Sequence, residues 1–287
     1  MNHRDNSEHH ERPSFGEGIH NPLSSMNQKI LPKLNVQKLI EMDAVFVINH
    51  SGGKDSQAMT AYLKALIPSH QLVVIHAHLP EVDWSGINEH ILNTIGEIPY
   101  YEVQAVKTFF QMVEHRKMFP DAKNRQCTSD LKRGPIDKKI REISRISGKK
   151  LIINCMGIRA EESTSRAKKH PFTMNKSQSI AGRKWYNWYP IFNEKIQWVW
   201  DTIKNANQTP HWAYLKGMTR LSCCFCILAS EHDLKTAAYL NPELLDRIDE
   251  IERRLDFTLI MPSKNKPKRF LKDIVSRKKT IQTSLAL

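Results

Sequence analysis

The sequence predicts an α/β fold, a doubly wound parallel sheet followed by a mainly helical C-terminal region. Three observations carry that expectation. Short apolar runs at residues 44–48, 72–78 and 151–156 have the length of buried strands and alternate with segments of helical apolar spacing. A glycine pair, Gly52-Gly53, stands directly between the first run and the first amphipathic segment. Beyond residue 160 the alternation gives way to a basic stretch, an aromatic strand and helices.

From about Lys33 the elements follow in order. Residues 44–48 read as a fully buried parallel strand, and Ala58, Met59, Tyr62, Leu63 and Leu66 recur at helical spacing after it. Residues 72–78 form a second buried strand, 87–95 a helix, and 100–103 a short third strand. Residues 109–118 and 135–146 are helical, the latter with apolar Ile136, Ile140 and Ile143, and 151–156 is the fourth strand. Such a βαβ rhythm places a ligand at the carboxyl ends of the strands. Residues 166–184 are polar and basic, expected as a mobile loop near the mouth of that site. Residues 185–191 read as an aromatic strand, followed by a helix containing Ile196, Val199 and Trp200. Residues 229–256 read as helical, with Leu244, Leu245, Ile248, Ile251 and Leu255 on one face.

The expected organisation is a disordered arm at 1–28, a nucleotide-binding core at 29–160, an extension at 161–260 and a basic tail at 261–287. The arm is polar and carries His9, His10 and His20. The tail carries Lys264, Lys266, Lys268, Arg269, Lys272, Arg277, Lys278 and Lys279.

Bulk composition narrows the function. Lysine and arginine number 43 against 30 acidic residues, a formal charge of +13. That excess points to a polyanionic partner, most simply nucleic acid. Trp185, Trp188, Tyr189, His211, Trp212 and Tyr214 lie beside basic residues and offer faces for unpaired bases, or pack in a core. No apolar run of membrane-spanning length exists, and the N-terminal region lacks the apolar core of a signal peptide. The expected location is cytoplasmic, where five cysteines are better explained by metal, sulfur chemistry or burial than by disulfides.

Two motifs carry chemistry. In Ser51-Gly52-Gly53-Lys54-Asp55-Ser56, glycines at a strand-to-helix turn let backbone N–H groups approach a phosphate. The helix N-terminus adds its orphan donors, Lys54 a point charge, and Ser51 and Ser56 hydroxyls. The four-residue spacing between the glycines of a Walker A loop is missing. The second motif is Cys223-x-x-Cys226 with Cys224 between, joined by remote Cys127. Two ligands two residues apart plus a distant one fit an iron–sulfur cluster, a structural zinc or a redox dithiol. Cys224 is a candidate fourth ligand, and Cys155, inside an apolar strand, reads as buried packing.

The phosphate loop resembles the pyrophosphate loop (PP-loop) of the adenine nucleotide alpha-hydrolase superfamily. Four further segments resemble the phosphoadenosine phosphosulfate (PAPS) reductase family within it. They are Cys127-Thr128 with Lys132; Gly157-Ile158-Arg159 with Glu162-Ser163; Pro190-Ile191 with Val199-Trp200; and Cys223 to Cys226. Together they cover roughly residues 44–257. Sulfonucleotide reductases of the family have a modified loop and a C-terminal nucleophilic cysteine. Here the loop is intact and no cysteine follows Cys226. The chain therefore looks most similar to phage, prophage and DNA-phosphorothioation members and to tRNA-thiolating enzymes.

That resemblance implies an AMP-forming ATP pyrophosphatase that activates a nucleic acid, DNA or tRNA, for sulfur insertion. A cysteine desulfurase would be the sulfur donor, with ATP, Mg²⁺ and a [4Fe–4S] cluster (or zinc) as cofactors. Lys54 and the Gly52 and Gly53 amides would hold the β and γ phosphates, aided by Ser51 and Ser56. Asp55 would bind Mg²⁺ or cap the helix. Arg159, after Gly157 at a strand end, would reach the α-phosphate or acceptor, or pair with Glu161 or Glu162. Lys132 would contact a phosphate from the opposite wall, and His50 and His78 would border the adenine. The alternatives are a PAPS or APS reductase and a nucleotide-dependent DNA-binding or regulatory protein of phage or defence biology.

Overall fold

The computed structural model describes residues 35–262 and 267–276. The arm expected at 1–28 lies outside them, as do Lys264, Lys266, Arg277, Lys278 and Lys279 of the basic tail. After a short helix α1 (Val36–Glu41), strands β1 (Val45–Asn49), β2 (Leu72–Ala77), β3 (Tyr100–Val103) and β4 (Leu151–Met156) alternate with helices. These are α2 (Lys54–Leu66), α3 (Ile87–Ile95), α4 (Phe109–Arg116) and α5 (Gly134–Ser147).

One six-stranded sheet holds the molecule, in the order β3-β2-β1-β4-β6-β5, where β5 is Phe172–Met174 and β6 is Lys184–Trp188. Every neighbouring pair is parallel except β5–β6. From β1 the chain winds outward through β2 and β3, then returns to place β4 on the other side of β1. The crevice between the carboxyl ends of β1 and β4 is thus the topological switch point, where open α/β sheets bind ligands.

The pattern of the strands explains their place. In β1, Val45, Val47 and the intervening Phe46 and Ile48 are all buried, because helices cover both faces. On one face Val45, Val47, Ile75, Ile152 and Trp185 pack against Ile140 of α5. On the other, Ala58 of α2 packs against Val199 and Ile203 of α6 (Ile196–Asn205).

Two expectations need correction. Residues 166–184 are not a plain loop. They contain β5, which pairs Phe172, Thr173 and Met174 with Trp188, Asn187 and Tyr186 and closes the sheet edge. The helical stretch at 229–256 is two helices, α8 (Glu231–Leu240) and α9 (Pro242–Leu255), the short α7 (Trp212–Leu215) preceding them. Pro242 has no N–H to continue α8 and restricts Asn241, whose φ of −138° and ψ of 63° end it. Of the two readings open for the aromatic residues, core packing holds for Trp185, Trp188 and Tyr189, whereas Trp212 remains exposed.

Candidate active site

The loop between β1 and α2 is organised by its own residues. Gly52 has φ +75°, and a Cβ there would lie 2.1 Å from Ile87 Cδ1, so only glycine fits. His50, at the end of β1, accepts the Gly52 N–H at Nδ1 (3.1 Å). Its Nε2 faces Thr94 Oγ1 at 3.4 Å. Ser56 Oγ donates to the Gly53 carbonyl (2.8 Å) and accepts from the Ser51 N–H (3.2 Å). Asp55 does not cap the helix, whose N-cap is Gly53 without a side-chain partner.

Burial holds His50 at a pKa of about 3, so the ring is neutral and a loop-former rather than an acid–base group. Its folded value lies below the unfolded 6.5, so its stabilising contribution is complete above that value. It is lost as pH falls toward 3, at about 1.4 kcal/mol per pH unit. His211, held near 4 by burial, acts in the same sense. Urea unfolding between about pH 7.5 and about pH 5 should therefore show a steep loss of stability that His50→Gln reduces. An unchanged slope in that variant would contradict the assignment.

A second wall comes from far along the chain. Tyr214 Oη accepts the N–H groups of both Lys54 (3.0 Å) and Leu221 (3.2 Å), binding the 214–221 segment across the loop. Lys54 Nζ reaches the Thr219 carbonyl at 3.3 Å and Asp55 Oδ2 at 3.3 Å. Thr219 is itself fixed by Asp233 of α8, which accepts from its N–H and its hydroxyl. The Gly52 and Lys54 amides thus already have partners, and an entering phosphate would exchange for them.

β4 delivers the third wall. At Gly157 a Cβ would lie 3.0 Å from the Asp55 carbonyl carbon and oxygen and 3.1 Å from Ser56 N. Gly157 therefore serves close packing of two backbones. Gly157→Ala should lower stability by about 1–3 kcal/mol and weaken ATP binding, because only backbone can yield. A thermal melt and nucleotide titration matching the wild type would refute this. Next to it Arg159 is 4% exposed. Its Nε donates to Asp55 Oδ1 (2.6 Å) and its NH1 to Glu161 Oε2 (2.5 Å). Asp55 and Arg159 thus form one ion pair across the switch point, and Glu162 Oε2 accepts the Arg159 N–H.

The thiols lie at the carboxyl end of β2. A one-turn helix, Gln126–Thr128, carries Cys127, and a π-turn, Ser129–Arg133, brings Lys132 Nζ to 3.4 Å from Cys223 Sγ. Lys132 thus meets a sulfur. Burial pushes the Cys223 thiol up, and the Lys132 ammonium opposes that shift. Burial likewise raises Cys127, whose thiol feels Lys132 and Cys226. Cys224 is 2% exposed, with its N–H on the Val82 carbonyl, and Cys155 is fully buried. All five cysteines are free.

Sequence reasoning read Tyr214 as an aromatic face and not as an acceptor on the loop, and it did not find Thr219 or Asp233, which act across the chain. It also missed His76 and Asp83 beside His78, although His76-x-His78 at strand period carried a signal. Among the described residues no helix is long and apolar enough to cross a membrane.

Comparisons with known proteins follow from this geometry. A protein from the gpa 5′ region of Escherichia phage 186, of 37.8 kDa and described as uncharacterized, is 28% identical over 172 residues, covering 58% of this chain and 50% of that protein. The chain thus spans about half the length of the curated relative it matches. PAPS reductase from Candida auris, in a phosphate complex, superposes with TM-score 0.44 and 10% identity, over 68% of this chain and 91% of that one. FMN adenylyltransferase from Candida glabrata, with FAD and inorganic pyrophosphate, gives 0.41 and 15%, over 67% and 57%. The model of the phosphoadenosine phosphosulfate reductase domain matches residues 45–229, from the first residue of β1 to just past the cysteine motif. With well over half of its 287 residues matched, the chain belongs to the phosphoadenosine phosphosulfate reductase domain family.

Proposed function

We propose that this chain is an AMP-forming ATP pyrophosphatase that activates a nucleic acid, DNA or tRNA, for sulfur insertion. One observation carries the reading: residues 214–226 both cover the intact phosphate loop and bear Cys223 and Cys226. That arrangement would bring phosphate and sulfur chemistry together at the carboxyl ends of the strands. In the first step an acceptor oxygen attacks the α-phosphorus of ATP, and the bond to the β-phosphate oxygen breaks. AMP stays on the acceptor and pyrophosphate leaves with its charge neutralised by Lys54 and Mg²⁺. Asp55 is the loop carboxylate available to that Mg²⁺, in exchange for Arg159. In the second step a persulfide sulfur from a cysteine desulfurase displaces AMP, and a further thiol releases it by disulfide formation.

The donor set of Cys127, Cys223 and Cys226 would suit an iron–sulfur cluster, with a structural zinc as the alternative. These three would hold the cluster, which would supply iron for binding sulfur. Exposed Lys168, Lys169, Lys176 and Lys184 flank β5 and favour a polyanionic substrate.

The test is anaerobic incubation with ATP, Mg²⁺, cysteine, a desulfurase and either DNA or tRNA, followed by mass spectrometry of the digested nucleic acid. An oxygen-for-sulfur mass gain dependent on ATP supports the proposal. The family match favours a second reading, a sulfonucleotide reductase, for which the expected outcome is thioredoxin-dependent sulfite release from PAPS without nucleic-acid thiolation.

A further inference from the structure

The geometry points to a divalent transition-metal site, of the zinc or ferrous class, built from His76 Nε2, His78 Nδ1 and Asp83 Oδ2 and separate from the cysteines. The proposal stands on these three side chains and does not depend on the nucleotide reading.

The strand period places His76 and His78 on one face of β2, the first inside the strand and the second just past its end. Residues 79–83 then turn back, with the Asp83 N–H on the Leu79 carbonyl at 2.9 Å and the Leu79 N–H on Asp83 Oδ2 at 2.6 Å. That turn aims the carboxylate at both imidazoles. The three ligand atoms all lie within 4.8 Å of one another, and Asp83 Oδ2 is 3.0 Å from His78 Nδ1 and 3.8 Å from His76 Nε2. Ligands held at about 2.0–2.1 Å around a tetrahedral ion lie about 3.4 Å apart, so the observed spacings bracket the requirement.

His76 supplies an independent sign. Its Nδ1 lies 2.9 Å from the His50 carbonyl, and since a carbonyl only accepts, Nδ1 carries the proton. The lone pair of the neutral ring is then on Nε2. That atom is buried in a residue 3% exposed and has no hydrogen-bond partner, because 3.8 Å is too long for one to Asp83. A backbone carbonyl fixing Nδ1–H while Nε2 faces a carboxylate is how proteins orient a ligating histidine. The ion would replace the proton now shared between His78 Nδ1 and Asp83 Oδ2.

The donor set selects the metal. Two imidazoles and one carboxylate suit zinc or ferrous iron, and three protein ligands leave a position open for an exogenous one. Mg²⁺ and Ca²⁺ prefer all-oxygen shells, so this site would not take the nucleotide's cation. Lys132 and Cys223 both lie within electrostatic reach of Asp83. The Cys224 N–H to Val82 carbonyl bond (2.8 Å) ties the cysteine motif to the same turn. An exogenous ligand held here would lie beside the thiols.

The test uses the full chain, stripped with a chelator and titrated with Co²⁺ and with Zn²⁺, alongside His78→Ala, Asp83→Asn and a triple Cys127→Ser/Cys223→Ser/Cys226→Ser variant. The expected result is one equivalent of metal bound by the triple variant, with affinity reduced at least tenfold when His78→Ala or Asp83→Asn is added to it. The His78 and Asp83 side chains are 22% and 11% exposed, so circular dichroism of each variant accompanies the titration. The Co²⁺ spectrum is read on the triple cysteine variant, whose circular dichroism must match the wild type, so that those three thiols cannot contribute. Nitrogen and oxygen ligation gives visible d–d bands without thiolate charge-transfer absorption. Failure of that variant to bind Co²⁺ at one equivalent, or wild-type affinity retained when His78→Ala or Asp83→Asn is added to it, would overturn the site.

Discussion

Replacing Arg159 with methionine is expected to lower the stability of the folded chain by about 3 kcal/mol, among the largest effects of any single substitution in this site. The guanidinium is almost fully buried and bridges Asp55 on the phosphate loop to Glu161 beyond β4, so its loss leaves Glu161 without its ion-pair partner and Asp55 with Lys54 alone. Keeping the volume while deleting the charge separates this effect from a cavity. Asp55→Asn should itself be milder, and Arg159→Met combined with it should be less destabilised than the sum of the two single changes. Chemical denaturation of the four proteins measures the coupling. Strict additivity would show that the pair holds nothing together.

Lys54→Ala should leave the fold largely intact and reduce ATP turnover by roughly a hundredfold or more, the scale seen when one preorganised group facing transition-state charge is removed. Lys54 is buried under the 214–221 segment, its Nζ against the Thr219 carbonyl and Asp55, so it is already aimed at the loop rather than free in solvent. Tyr214→Phe offers the contrast. It removes the acceptor of the Lys54 and Leu221 N–H groups while leaving the ammonium, and should alter nucleotide affinity more than the rate of the chemical step. Steady-state kinetics of both variants at saturating ATP distinguish the two roles.

Much of this architecture was legible in the sequence because its signals are local. β1, β2 and β4 are continuous apolar runs, as strands buried on both faces must be, and the residue ranges expected for α3, β3 and β4 match those observed. The phosphate loop was legible for the same reason. Its glycines, lysine and serines form a contiguous motif whose hydrogen bonds close within six residues. What escaped was long-range or weakly patterned. β5 is three residues amid a basic stretch, and only its pairing with β6 makes it a strand. The break between α8 and α9 was written in Asn241-Pro242 but masked by an apolar face that continues through it. Tyr214 reaches the loop across 160 positions of sequence, and no local pattern marks its hydroxyl as a double acceptor. The contact between Lys132, on the π-turn, and Cys223 joins positions 91 residues apart, and no local pattern announced it. Cys127 lies within electrostatic reach of Cys226, nearly a hundred positions later in the sequence.

The most direct test of the central claim is the identity of the nucleotide products. ATP labelled at the α-phosphate, incubated with the full chain, Mg²⁺, cysteine, a desulfurase and the nucleic-acid acceptor, should yield labelled AMP and an equimolar amount of pyrophosphate, with both lost in Lys54→Ala. Labelled ADP with inorganic phosphate, or unconsumed ATP across DNA and tRNA acceptors, would contradict the assignment of the Ser51 to Ser56 loop as an ATP pyrophosphatase cradle.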